Sequence, residues 1–181
     1  MSPSDQCDGE IRARSGIRTR LLVRSLSAEA FRPYGDVLDT SGRPTGVANA
    51  GAAEVHRDIA AIDVSAQGGR VCVSVVRIRA SPPPLRIEVM ERHPLGSQAI
   101  SPLGDASMLV VVAPEGRLDS TKIVAFQASP RQGVNYRRNV WHHPLIALNR
   151  ESDFVVIDRA GDGENLILER LAEPLDVSFQ G

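Results

Sequence analysis

Apolar and polar positions in this chain change over every few residues, and no stretch carries the 3.6-residue period of a long helix. Strand-like runs fall at 71–79, 85–92, 98–101, 107–113, 122–127, 133–136, 145–149, 153–158 and 165–171. Turn-forming residues separate most of them, as in Ser81-Pro82-Pro83-Pro84, Pro102-Leu103-Gly104-Asp105, Pro114-Glu115-Gly116, Ser129-Pro130-Arg131 and Gly161-Asp162-Gly163. Glycine and proline punctuate a chain because one reaches positive φ freely and the other lacks an amide hydrogen. Upstream, Leu21-Leu22-Val23 and Val37-Leu38 read as short strands. Ser27 precedes Ala28-Glu29-Ala30-Phe31 as the cap of one helical turn, since its hydroxyl can accept from an exposed amide. The Gly-, Ala-, Pro- and Asn-rich stretch at 41–53 reads as loop, and Leu118–Lys122 is at most a short helical turn. Many short strands with frequent turns predict an all-β sandwich or barrel with a few helical turns.

Composition narrows this. With 181 residues, 42% of them hydrophobic and 24% charged, the chain can build an ordinary core. We expect one domain over 19–181, preceded by a polar, aperiodic arm at 1–18. A formal net charge of -1 excludes strong non-specific attraction to nucleic acid or an anionic membrane. Aromatics at 4% leave little for base stacking. No apolar run approaches the roughly 20 residues of a spanning helix, and the N-terminus lacks the apolar stretch of a secretory signal. The expectation is a cytoplasmic protein without nucleic-acid or membrane partners. Cys7 falls in the arm and Cys72 in an alternating apolar run, where a small core residue is expected. Neither belongs to a zinc-type cluster.

Histidine, with its pKa near neutrality, acts as acid, base or metal ligand. Of the four histidines, three lie in two segments: His93 in Glu91–Gln98, and His142 and His143 in Asn139–Leu145, beside the single tryptophan. On a strand, residues two apart share a face, so Glu91 and His93 project together. Gln98 follows a Pro-Leu-Gly turn able to return the chain to that face. His142 is expected to face the same interior, and His143 to turn away. His56 lies in a loop-like stretch and reads as surface. One of Arg137 and Arg138 should face the pocket, where a guanidinium suits a carboxylate through two parallel hydrogen bonds. A phosphate-cradling GxxxxGK loop and a G-x-S-x-G elbow are both missing.

The spacing of Glu91, His93 and Gln98 is similar to the first metal-binding motif of cupins, His-x-His followed by Glu, with Glu91 at the first His position and Gln98 at the Glu position. His142 resembles the histidine of the second cupin motif. Further, Glu91–Ala99, Gly133–Tyr136, Asn139–Leu145 and Asp153–Arg159, in that order, resemble the ureidoglycolate lyase family of allantoin catabolism. The similarity runs from about Leu21 to about 172. It implies a cupin-like antiparallel β-barrel (a double-stranded β-helix), a homodimer, and release of urea from (S)-ureidoglycolate to leave glyoxylate. Under it, His142 leads as acid/base, with Glu91 and His93 as partners. Arg137, Arg138, Asn135, Asn139 and Gln98 are then candidates to bind substrate. Glu91, His93, Gln98 and His142 are also a candidate set for a divalent metal such as nickel, zinc or manganese, and no organic cofactor is implied. One departure stands out: Val55 and Arg57 occupy positions where the family has Arg and His. That leaves room for a cupin acting on a related small hydroxy or keto acid, or for a non-catalytic binder of such an acid.

Overall fold

The structure, a computed structural model, describes residues 20–179; the arm expected at 1–18 and Cys7 lie outside the described residues. In chain order the elements are β1 (Arg20–Ser25), α1 (Ala28–Phe31), β2 (Gly35–Leu38), β3 (Gly46–Ala48), β4 (Ala53–Val55), β5 (Arg70–Ile78), β6 (Arg86–Arg92) and β7 (Gln98–Pro102). They continue with β8 (Met108–Ala113), β9 (Val124–Ala128), β10 (Gly133–Tyr136), β11 (Trp141–His142), β12 (Ile146–Ala147), β13 (Ser152–Ala160) and β14 (Ile167–Ser178). Single 3-10 turns stand at Asn49–Gly51, Ala66–Gly68 and Ser120–Lys122. Among the described residues no helix is long and apolar enough to cross a membrane.

One sheet runs β11-β6-β14-β1-β9-β8, and β11 also pairs with β8, so these strands close into a ring with β12 attached to β8. Pairing in it is antiparallel except at β1, which runs parallel to both β14 and β9. The second sheet, β2-β10-β7-β13-β5, is antiparallel throughout. Together they form the cupin-like barrel that the strand pattern and the resemblance imply.

Two apolar layers follow. One fills the ring: Leu21, Val23, Ile87, Met90, Leu109, Val111, Ala125, Trp141 and Leu175 cluster there. The other packs the outer wall of the ring against the second sheet, joining Val110, Val112 and Phe126 to Val37, Ile100, Val134, Phe154 and Val156. β8 is buried at all of its positions, because its odd residues enter the first layer and its even residues the second. A strand covered on both faces needs a continuous apolar run, and Met108-Leu109-Val110-Val111-Val112-Ala113 supplies one.

Ser27 caps α1 as expected, its Oγ accepting from the Ala30 amide at 3.3 Å, and Phe31 anchors the turn in the second layer. Two expectations change. The 41–53 loop contains β3 and the start of β4, an antiparallel pair. Its short side chains hid it, because they bury too little to print an alternating pattern. Cys72 is half-buried rather than core, because β5 is an edge strand with only β13 beside it.

Candidate active site

β11 is two residues long, and it places one side chain in each layer. Trp141 enters the ring, where its Nε1–H donates to the Gly116 carbonyl at 2.9 Å. His142 points the other way, toward the second sheet. On β6 its register partner is Glu91, and on β8 it is Val112. Directly opposed residues share a face, so Glu91, His142 and Val112 stand side by side on the outer wall of the ring. His93 follows Glu91 by two and joins them. The cluster expected inside a barrel therefore lies in the layer between the ring wall and the second sheet.

Nε2 of His142 lies 3.4 Å from Glu91 Oε1, with the histidine side chain 2% and the glutamate 16% exposed. The His93 and His142 rings are 5.1 Å apart. One ligand-type atom from each of Glu91, His93 and His142 falls within 4.8 Å of the others. Backbone carbonyls set both tautomers. Nδ1–H of His142 donates to Val140 O at 3.1 Å, and Nδ1–H of His93 donates to Asn165 O at 2.7 Å. With each Nδ1–H so engaged, both Nε2 atoms are buried without a hydrogen-bond partner; the contact to Glu91 becomes an ion pair only when His142 is protonated. Two imidazole nitrogens and a carboxylate, each imidazole held from behind, are a donor set compatible with a divalent metal ion.

Burial alone pushes the Glu91 carboxyl upward, but His142, His93 and His143 together outweigh it, so its pKa lies below the ordinary value. Burial, aided by His142, holds the His93 pKa low. Burial likewise lowers that of His143. Glu91 is thus kept as the anion and His93 as neutral imidazole.

The turn carrying His93 is held from several sides. Asn165 accepts from His93 through its carbonyl and from the Leu95 amide through Oδ1 at 2.8 Å. Asn139, in the left-handed region at φ 67, donates its amide to His93 O at 3.0 Å. Ser97 bonds to Asp63 twice, through its amide at 2.7 Å and through Oγ at 2.9 Å. Below the turn, the buried Arg159 guanidinium donates to the carbonyls of Ala66, Gln67, Gly161 and Asp162 at 2.9, 3.4, 3.3 and 2.8 Å. Gly96 must be glycine here, since a Cβ would lie 2.7 Å from Arg159 Cβ.

The other candidates fall into different places. Gln98 is in register with Tyr136 and projects from the second sheet on the same face. Asn135 faces the other way, its Nδ2 donating to Asp36 Oδ2 and to Ala61 O, both at 3.0 Å. Arg137 and Arg138 are about half-exposed on the turn after β10, each loosely paired, with Asp36 at 3.9 Å and Asp63 at 3.8 Å. His143 is turned onto its own chain, Nδ1–H donating to Pro144 O at 2.7 Å. His56 follows β4, half-buried rather than on the surface, with Nε2 unpartnered.

Reading the chain alone passes over Tyr136 and Asn165. Tyr136 stacks on His142 with centroids 4.2 Å apart and planes 10° from parallel. Neighbours on β10 face opposite ways, and the sheet turns Tyr136 rather than the expected Asn135 toward His142. Asn165 carries no local signal, because its partners lie about seventy residues upstream. A groove of about 590 Å³ beside Ser81, Gln127 and Asn149 holds none of these groups; a histidine–carboxylate cluster is the stronger pointer to chemistry than volume.

Comparisons with known proteins place the chain among named relatives. A ureidoglycolate lyase of Burkholderia mallei is 49% identical over 155 residues, covering 86% of this chain and 91% of the relative. One from Brucella anthropi is 44% identical over 146 residues, covering 81% and 86%, and one from Brucella melitensis is 43% identical over the same length. Residues 18–178 match the family described as ureidoglycolate lyase, so the segment bearing Glu91, His93 and His142 lies within the match, and the chain belongs to the ureidoglycolate lyase family.

Proposed function

We propose that this protein is a ureidoglycolate lyase, splitting (S)-ureidoglycolate into glyoxylate and urea. The observation that carries the proposal is the buried Glu91–His142 pair, 3.4 Å apart with His93 beside it, in a chain of this family. The substrate is a carbinolamide: one carbon bears a hydroxyl, a hydrogen, a carboxylate and a ureido nitrogen. Cleavage removes the hydroxyl proton as C=O forms. The C–N electron pair leaves on the urea nitrogen, which takes up a proton, so no net proton is consumed.

His142 suits both transfers. Its Nε2 lone pair accepts the hydroxyl proton and returns it to the departing nitrogen, while the ionised Glu91 steadies the imidazolium in between. A positioned acid or base of this kind contributes about 100- to 10,000-fold. Arg137 or Arg138 serves as the carboxylate clamp, since both are half-exposed with loose partners. Holding the carboxylate aligns the carbinol with Nε2 and removes part of the entropic barrier. Gln98, facing the same layer, is placed to bond the ureido carbonyl.

Glu91, His93 and His142 also fit a divalent ion such as nickel, zinc or manganese, with Gln98 as a further oxygen. Such an ion supplies a positive charge that polarises the hydroxyl and lowers its pKa. Ligand and base are alternative uses of the same Nε2, and chelation separates them. The test is to incubate pure protein with (S)-ureidoglycolate and follow urea, glyoxylate and ammonia before and after EDTA. Urea without ammonia is expected; ammonia would mean amide hydrolysis, and no turnover would favour a binding protein or another small acid. Rate lost to EDTA and restored by nickel would assign the cluster to metal. The homodimer implied by the family is checked by sedimentation of the full chain.

A further inference from the structure

His142 must present Nε2 in one direction, yet a histidine ring turns about χ2 with little intrinsic preference. The bond from Nδ1–H to Val140 O, at 3.1 Å, favours one χ2 orientation by holding one edge of the ring. A contact lying flat on a ring face resists tilting away from that orientation. Tyr136 lies almost flat on it at 4.2 Å and 10°. His93 stands 5.1 Å away and tilted by 44°, too oblique to define a plane. Tyr136 is braced in turn. Its ring meets Phe31 at 6.1 Å, and Phe31 packs edge-on against Phe126 at 5.9 Å. The tyrosine is only 3% exposed, and Phe31 and Phe126 are buried with it.

We propose that Tyr136 is a positioning residue for His142: its ring, braced by Phe31, holds the imidazole in the one plane from which Nε2 meets Glu91 and the substrate. The aromatic surface performs this task, so the hydroxyl is dispensable. The inference rests on the lyase reading for its kinetic arm alone.

The test compares Tyr136→Phe, which keeps the stack, with Tyr136→Leu, which removes it, in the full-length protein. Misplacing a reacting group by about 1 Å costs on the order of 100-fold in rate. Tyr136→Leu is therefore expected to lower kcat by tens of fold or more with KM within about twofold, while Tyr136→Phe stays close to wild type. Nitrogen-15 spectra of the chelated protein give a readout independent of turnover. The His142 ring-nitrogen signals should be single and sharp in wild type and Tyr136→Phe, and broadened or doubled by ring motion in Tyr136→Leu. Equal losses in both variants would mean that the hydroxyl acts and would overturn the proposal. So would broadened or doubled His142 ring signals in wild type, which decide the matter even where Tyr136→Leu fails to fold. A wild-type protein that releases no urea overturns the lyase reading instead, and the spectra still decide the role of Tyr136.

Discussion

Trp141 and His142 are consecutive residues of one short strand, and both are 1% exposed. They nevertheless serve different parts of the molecule. Trp141 fills the closed ring, its indole N–H bonded to Gly116 O and the Arg92 guanidinium 4.7 Å above its face. His142 enters the layer between the ring and the second sheet with Nε2 unpartnered. Leaving a buried polar atom unmatched costs about 1–3 kcal/mol, a penalty that Trp141 avoids. Equal burial therefore separates into two outcomes: one residue completes a core with its polar atom bonded, and the other keeps a buried ring nitrogen without a partner.

The sharpest way to break that contrast is to exchange the expected phenotypes. His142→Asn should lower kcat by about 100- to 10,000-fold, with a circular dichroism spectrum and thermal midpoint near wild type; wild-type turnover would remove His142 from the mechanism. Trp141→Ala should do the reverse, costing about 3–5 kcal/mol by denaturant titration, while the fraction still folded at low temperature retains its turnover. If that folded fraction is inactive, the two layers are not separable.

Glu91→Gln tests the charge facing Nε2. The Glu91 pKa is depressed in the fold: burial raises it, and the surrounding histidines lower it by more. Stability from the ionised carboxylate is then complete above the unfolded value of about 4.3 and is lost as pH falls through the lower folded value. Wild type should lose stability across that acid window, and Glu91→Gln should show a flatter profile there with turnover reduced at neutral pH. A parallel decline in both proteins would place the acid sensitivity elsewhere. The smallest effect is expected far from both layers. Arg77 makes two short bonds to Asp153, at 2.7 and 2.9 Å, but the pair is exposed and water screens it. Arg77→Ala should leave turnover and thermal midpoint unchanged, and a large shift in either would tie the edge strand to the site.

Much of the strand map was legible because alternation is a local property. The runs at 71–79, 85–92, 107–113 and 153–158 lie close to β5, β6, β8 and β13. What escaped has identifiable reasons. β3 and β4 are built from small residues that print no pattern. β11 has too few residues to show any period, although it closes the ring. Pairing Glu91 with His93 followed from a two-residue spacing, whereas their meeting with His142 required β11 to dock beside β6. Asn135 was the expected substrate-side residue of β10, but the packing turned its neighbour Tyr136 toward His142 and tied the fully buried Asn135 to Asp36 and Ala61 on the other face of the sheet.

The amino-acid order alone carries the class of fold and the candidate side chains for chemistry, because period-two patterning and residue chemistry are written residue by residue. Which layer each face would line, which nitrogen of each histidine would be freed, and what would stack upon it arose only on folding. Those outcomes depend on register and on hydrogen bonds between strands far apart in the chain: His142 to Glu91 across the ring closure, His93 to Asn165, and Tyr136 pressed on His142 from the opposite sheet.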